Sequence, residues 1–284
     1  MDTGDVGGGI GQLSDGMALI DRIGYDAGTT RLEDALASAA NHGFHYLNFN
    51  ADIGPNRLGL WANDRARSIR QSCADNDIHF TLHTASSVNI AEFSPRVSEA
   101  VDQYLTANME LAQALACDGV VVHGGFHFSS ALDARMSASR ERLQRAVEIA
   151  ERLGVTLLLE NLNYEPEDAE VHYLAHTVEE CRYYFDAIYS ANFGWAFTVN
   201  HANLVPEGVD GFLDAFGIDR IGEVRLADNL GDKEVHLVPG QGNIDFERMF
   251  RRLESAGYDK YYTMAFGSME EKLAARDLFA GYRL

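Results

Sequence analysis

Lysine is almost missing from this 284-residue chain. Lys233, Lys260 and Lys272 are the only three, so nearly all of the positive charge is arginine. With 43 acidic against 23 basic residues, the formal net charge is −20. A field of that sign repels polyanions at low ionic strength and argues against nucleic acid as a partner. An acid-rich, lysine-poor surface fits a protein that stays soluble in concentrated salt, as in halophiles, or simply an acidic cytoplasmic protein. Cysteine is scarce as well. Cys73, Cys117 and Cys181 are odd in number and far apart, with no CxxC, which excludes a disulfide framework and points to reduced thiols in the cytoplasm. No apolar run approaches the roughly 18 residues that a membrane span needs. The opening stretch MDTGDVGGGIGQLSDG has neither a basic nor an apolar region of the kind a signal peptide carries, and reads as a flexible leader over residues 1–16. Beyond it there is no Pro/Ser linker, repeat or low-complexity block, so residues 17–284 are expected to form one domain.

Strand-like and helix-like segments alternate along that domain. Short, continuous apolar runs of the type buried on both faces occur at 18–25, 44–49, 78–83, 119–123, 155–160, 195–199, 221–226 and 260–266. Amphipathic stripes lie between them. Leu32, Ala35, Leu36 and Ala39 share a face; Ser94-Pro95 predicts a capped helix start before Val97, Ala100, Val101 and Tyr104. Leu143, Ala146, Val147, Ala150 and Leu153 form a stripe that Gly154 should end. Further helices are expected near 178–187, 208–216, 246–256 and 270–280. Eight such units predict an α/β fold, a single (β/α)8 TIM barrel. The rival, a doubly wound open sheet, would carry a Gly-rich phosphate loop after its first strand, and GYDAGTT (24–30) is not one.

A barrel builds its site at the C-terminal strand ends and the loops that follow. Those positions hold His83 (FTLH), His123 (VVVH), Glu160 (LLLE) and His201 (VNH). The seventh strand, EVRLADN, presents Arg225 and Asp228, and its loop carries Glu234 and His236 ahead of PGQG. Any one histidine is more often a satisfied core or loop residue than a ligand. Four histidines and two glutamates converging on one rim suit a divalent cation instead: zinc, manganese, iron or cobalt. On this reading the metal candidates are His83, His123, Glu160, His201, Glu234 and His236, with Glu160 also the catalytic candidate. PGQGN (239–243) is either a phosphate-binding bend or a turn in which Asn243 caps the next helix. The acidic loop NYEPEDAEVHY after Glu160 reads as a solvated lid.

LHTASSVNIA (82–91), VVHGGFH (121–127), LLLEN (157–161), VNHANL (199–204) and HLVPGQGNIDF (236–246) together resemble the xylose isomerase-like TIM-barrel superfamily, from about Asp21 onward. That superfamily contains sugar isomerases and epimerases, inosose-processing enzymes and endonuclease IV-like DNA-repair enzymes. The resemblance implies a metal on His83, His123 and Glu160, and a second group from His201 and His236 with Glu234 in place of an aspartate. It also exposes departures. The acids and histidine that the epimerases place on strands 6, 7 and 8 are here Thr198, Arg225 and Ala265, and only Glu160 survives of that set. A guanidinium at 225 puts a permanent cation where a metal would sit and offers two parallel donors to a carboxylate or phosphate; a buried salt bridge to Asp228 or Glu234 is the alternative. Arg225 and Asp228 are substrate-binding candidates, and so is His127, on a loop near the rim, where a plain surface histidine is the alternative.

Three functions fit these residues. The first is a metal-dependent isomerase or epimerase acting on a small polar and possibly anionic substrate: a sugar, sugar phosphate or cyclitol. The second is an endonuclease IV-like phosphodiesterase, favoured by the intact His83/His123/Glu160 set and opposed by the acidic lid. The third is a non-catalytic or redirected binding barrel, favoured by Thr198, Arg225 and Ala265 together.

Overall fold

The computed structural model describes residues 17–283; the leader expected over residues 1–16 lies outside them. Eight parallel strands close into a barrel: β1 (Ile23–Asp26), β2 (Tyr46–Asn50), β3 (His79–His83), β4 (Gly119–Val122), β6 (Leu157–Glu160), β8 (Phe193–Thr198), β9 (Ile221–Leu226) and β10 (Tyr261–Met264). Two further strands, β5 (Phe126–His127) and β7 (His172–Tyr173), pair antiparallel in a separate ribbon. The helices between strands are α2 (Leu32–His42), α3 (Asn63–Asn76), α4 (Pro95–Leu115), α5 (Leu132–Leu153), α6 (Val178–Phe185), α8 (Gly208–Phe216), α9 (Phe246–Ser255) and α10 (Met269–Ala280). Two single turns, α1 (Leu19–Arg22) and α7 (Val199–Ala202), complete the set. No helix among the described residues is long and apolar enough to cross a membrane.

The outer core forms where the strands' outward faces meet the helical stripes. Trp195 shows the pattern: fully buried, it packs against Phe185, Phe197, Phe212 and Phe216 and donates its indole N–H to Asn161 Oδ1 at 3.0 Å. The hydrogen bond lets a large apolar ring be buried without leaving its one polar atom unsatisfied.

Several segments differ from the sequence reading for identifiable reasons. Residues 18–25 are expected to be one strand, but Leu19–Arg22 is a helical turn and only Ile23–Asp26 joins the barrel. Arg22 is buried there, donating to the carbonyls of Tyr258 and Lys260 and pairing with Glu254, so the turn ties the first strand to the last. A short apolar run does not reveal its period. Helix α3 has a thin stripe, with only Ala66, Ile69 and Cys73 buried, and gave no sequence signal. Ser94 precedes a helix with Pro95 in its first turn, yet its side chain makes no cap; Glu92 Oε1 instead accepts from the N–H groups of Phe93 and Ser94. Val97 of the expected stripe is about half exposed. Gly154 ends α5 in the left-handed conformation, as anticipated. Asn243 is not a cap: Asp245 caps α9 by accepting from the Arg248 N–H.

The barrel interior is split in character. In-facing positions alternate along a strand, and one layer below the strand ends Val121, Leu158 and Ala196 form an apolar cluster on one side. Opposite them stand Asn48, Thr81 and Glu223, fully or almost fully buried and hydrogen-bonded to one another. Branched apolar residues usually dominate this space. A charged residue beneath the strand ends has to be explained by what it pairs with.

Candidate metal centre

Glu160 closes β6 and is 2% exposed. Its Oε2 lies 3.1 Å from His83 Nε2 and 3.2 Å from His123 Nε2. Oε1 accepts from the Thr198 hydroxyl at 2.6 Å, with Arg225 Nε at 3.5 Å and His201 Nδ1 at 3.8 Å. Burial pushes the Glu160 carboxyl up, but the Arg225 charge and the His123 and His83 contacts outweigh it and hold it well below the usual carboxylate range. The neighbouring Asn161 pins the end of β8, accepting from the Thr198 N–H and donating to the Thr198 carbonyl. The acid that ends the leucine run is therefore a fixed group with two differently engaged oxygens.

A second group stands at the mouth. Glu234 Oε1 is 2.8 Å from His236 Nε2 and 3.3 Å from His201 Nε2, and accepts from Asn200 Nδ2 at 2.9 Å. Burial raises the Glu234 carboxyl and the two histidines lower it, leaving it at about 2. The hydrogen bond to Glu234 in turn holds His236 above the ordinary histidine value.

Three of the four imidazoles are oriented from behind; the fourth, His123, keeps a buried Nδ1 with no partner among the described residues. His83 Nδ1 donates to the Thr84 carbonyl, His201 Nδ1 to the Asn161 carbonyl and His236 Nδ1 to the Ala265 carbonyl. A neutral imidazole whose Nδ1 carries the proton presents a lone pair at Nε2. For His83, His201 and His236 that Nε2 faces a carboxylate oxygen, so acceptor meets acceptor unless a cation lies between them or the ring takes a second proton. A carbonyl-anchored histidine beside a carboxylate is also the arrangement that tunes metal ligands. Within each group the ligand atoms lie within 4.8 Å of one another. The residues therefore fit a divalent cation of the zinc, manganese, iron or cobalt type on donor chemistry as well as placement.

Arg225 lines the same cleft but does not pair as expected. NH1 donates to Glu223 at 2.8 Å and NH2 to Asp26 at 3.0 Å; the anticipated partners Asp228 and Glu234 are not its partners. Thr198, Arg225 and Thr263 sit side by side in register on β8, β9 and β10, and Ala265 follows directly after the last strand. The cleft bordered by Thr198, Arg225 and Ala265 has a volume of about 280 Å³.

Two of the substrate-binding candidates do not line this cleft. Asp228 is fully buried and is not among the residues lining the cleft. Its carboxylate accepts from the backbone N–H groups of Asn229, Gly240, Gly242 and Ile244 at 2.9–3.2 Å. The PGQGN bend thus wraps the protein's own carboxylate rather than a phosphate. A Cβ at Gly242 would come within 2.2 Å of Asp228 Oδ1, so only glycine fits there. Replacing Asp228 by Ala should cost about 3–5 kcal/mol in chemical denaturation, because several inward N–H groups lose a charged acceptor together. His127 is likewise not part of the cleft wall; it sits on β5 with its ring stacked on His172 at 5.2 Å. The loop after Glu160 begins buried, at Asn161–Asn163, and becomes exposed at Glu167, Asp168 and Glu170.

Sequence reasoning missed Asp26, Glu223 and Asn200. Glu223 had a legible signal: in IGEVRL two opposite charges stand two residues apart, on one face of an otherwise apolar strand.

Comparison with known proteins follows the same lines. The profile of the xylose isomerase-like TIM-barrel family matches residues 36–279. An uncharacterised protein of Methanocaldococcus jannaschii is 29% identical over 216 residues, covering 72% of this chain and 70% of the relative. Among solved structures, a D-tagatose 3-epimerase-like protein superposes with a TM-score of 0.80 at 24% identity, over 92% of this chain and 96% of that one. An AP endonuclease family 2 protein from Brucella melitensis gives 0.71 at 18% identity, over 93% and 100%.

Proposed function

The chain belongs to the xylose isomerase-like TIM-barrel family, and on that premise we propose that it is a divalent-metal-dependent enzyme of the isomerase or epimerase type, acting on a sugar, sugar phosphate or cyclitol. The observation that carries this is the set of carbonyl-anchored imidazoles aimed at Glu160 and Glu234. His83, His123 and Glu160 would hold the metal, which when bound supplies a Lewis acid to polarise a carbonyl or hydroxyl oxygen. Both Glu160 oxygens are already engaged, so its part is to hold rather than to move protons. Glu234 borders the cleft with Oε2 buried and without a partner, but His201 and His236 hold its carboxyl at about 2, so it too serves as a ligand rather than as a base. Ala265 supplies no second acid after the last strand. Arg225 retains two of its five N–H groups beyond its three carboxylate contacts, available to a substrate oxygen. The small cleft volume suits a monomeric polyol or keto sugar better than a polymer.

The test is exchange. Metal-loaded protein incubated in heavy water with a panel of ketoses and cyclitol ketones should place deuterium beside the carbonyl of at least one. NMR detects this even where no net product accumulates. A panel with no exchange, from protein that demonstrably binds metal, overturns the isomerase reading and leaves the redirected binding barrel.

The His201/Glu234/His236 group gives the phosphodiesterase reading its specific support, since paired cation sites serve phosphoryl chemistry. The exposed acidic loop and a guanidinium standing against Glu160 oppose it. Purified protein is therefore expected not to incise abasic-site DNA; incision lost in Glu160→Gln would promote this reading instead. The mouth group should also show proton-coupled metal binding. A proton on His236 must leave before Nε2 can bind, so the affinity of this group for cobalt should fall about tenfold per pH unit below the raised His236 value. A cobalt titration of Glu160→Gln across pH 5.5–8 (roughly the histidine range) reads this directly.

A further inference from the structure

Glu223 is fully buried one layer beneath the candidate metal ligands. It accepts from Tyr46 Oη at 2.6 Å and Thr81 Oγ1 at 2.5 Å, while its other oxygen accepts from Arg225 NH1 at 2.8 Å. Tyr46 is itself fixed, its ring stacked on Tyr261 with centroids 4.1 Å apart. The strand is shaped to allow this. The β8–β9 register shifts between Trp195 and Ala196, so Ala196 pairs with Glu223 and Gly222 is passed over. A Cβ on Gly222 would come within 2.4 Å of Leu158 Cδ2, so a larger residue there requires the Leu158 side chain to shift. Asp26 takes the other end of the guanidinium at 3.0 Å. Held by these two carboxylates, Arg225 stops with Nε 3.5 Å from Glu160 Oε1, beyond a good hydrogen bond.

We propose that Glu223 is a positioning residue that holds Arg225 back from Glu160, so that Glu160 remains available to a cation on His83 and His123. This rests on the reading that those three residues hold a metal. Arginine prefers bidentate pairing with a carboxylate. A guanidinium released from below would close on Glu160 and compete with the cation for it. The Glu223 contact therefore acts on the metal through Arg225, without Glu223 touching metal or substrate.

The test is cobalt(II) titration of metal-stripped, full-length protein, read by visible absorption, alongside thermal unfolding. Both Glu223→Gln and Glu223→Asp should weaken cobalt binding by about 10–100-fold, the usual cost of losing an outer partner of a metal ligand. Asp keeps the charge but retracts it by one methylene. If only the Gln variant weakens binding, Glu223 acts through its long-range field and the positioning role is wrong. If both lower the unfolding temperature while cobalt affinity stays within twofold of about the wild-type value, the residue is merely structural and the proposal fails. Tyr46→Phe, which removes the hydroxyl holding Glu223, keeps the question open to test should the Glu223 variants not fold; it should weaken cobalt in the same direction by less, and unchanged affinity there overturns the proposal. Wild-type protein that binds no cobalt overturns the metal reading itself, and this inference with it.

Discussion

Glu160→Gln should lower the affinity of the inner group for cobalt or zinc by more than about 100-fold while leaving the barrel folded. Outer partners of metal ligands alone cost 10–100-fold, and this substitution removes the one carboxylate that both imidazoles face. The fold should survive because Gln keeps an oxygen for the Thr198 hydroxyl, and Arg225 keeps Glu223 and Asp26. Isothermal titration of metal-stripped protein beside a circular-dichroism melt separates the two effects. Equal affinity in variant and wild type would mean that the histidines pair with Glu160 only as protonated rings.

The second large effect belongs to Arg225. Arg225→Met should destabilise the protein by about 3–5 kcal/mol, the cost of leaving a buried charge without its partner. Here Glu223, Asp26 and Glu160 all lose the same cation. Burial works against the guanidinium's charge, yet those three carboxylates hold it above its ordinary value, so it stays charged at every accessible pH. The loss should appear in urea unfolding as a shifted midpoint with an unchanged slope. Arg225→His combined with Thr198→Asp replaces that cation by ligand atoms on adjacent strands and should raise metal stoichiometry. A stable Arg225→Met protein, with its midpoint near wild type, would show that the carboxylates around it are neutralised in another way.

The barrel was legible because it rests on local patterns: short apolar runs, stripes and glycine stops repeat along the chain. The inner group was legible for a related reason. His83, His123 and Glu160 each end an apolar run, and the barrel topology alone brings such ends together. What pairs with Arg225 was not legible in full. Asp26 lies 199 residues away in sequence, on the first strand, which is adjacent to β9 only through β10. Glu223 could have been found from its spacing to Arg225, whereas Asp228 misled because a carboxylate at a strand end reads as a rim residue. Its real acceptor role depends on a loop folding back from residues 240–244. The β5–β7 ribbon stayed hidden because two-residue strands have no period to detect.

A cation held on His83, His123 and Glu160, with Arg225 standing in place of a metal beside them, is open to direct observation. Elemental analysis joined to an anomalous-scattering map of protein purified without added metal tests both halves at once. The expected result is an anomalous peak within bonding distance of His83 Nε2, His123 Nε2 and Glu160 Oε2, with none bridging Glu160 and His201. A metal-free inner group in protein that has been offered zinc, manganese, iron and cobalt would contradict it, as would a peak bonded to Glu160 and His201 together with Arg225 displaced.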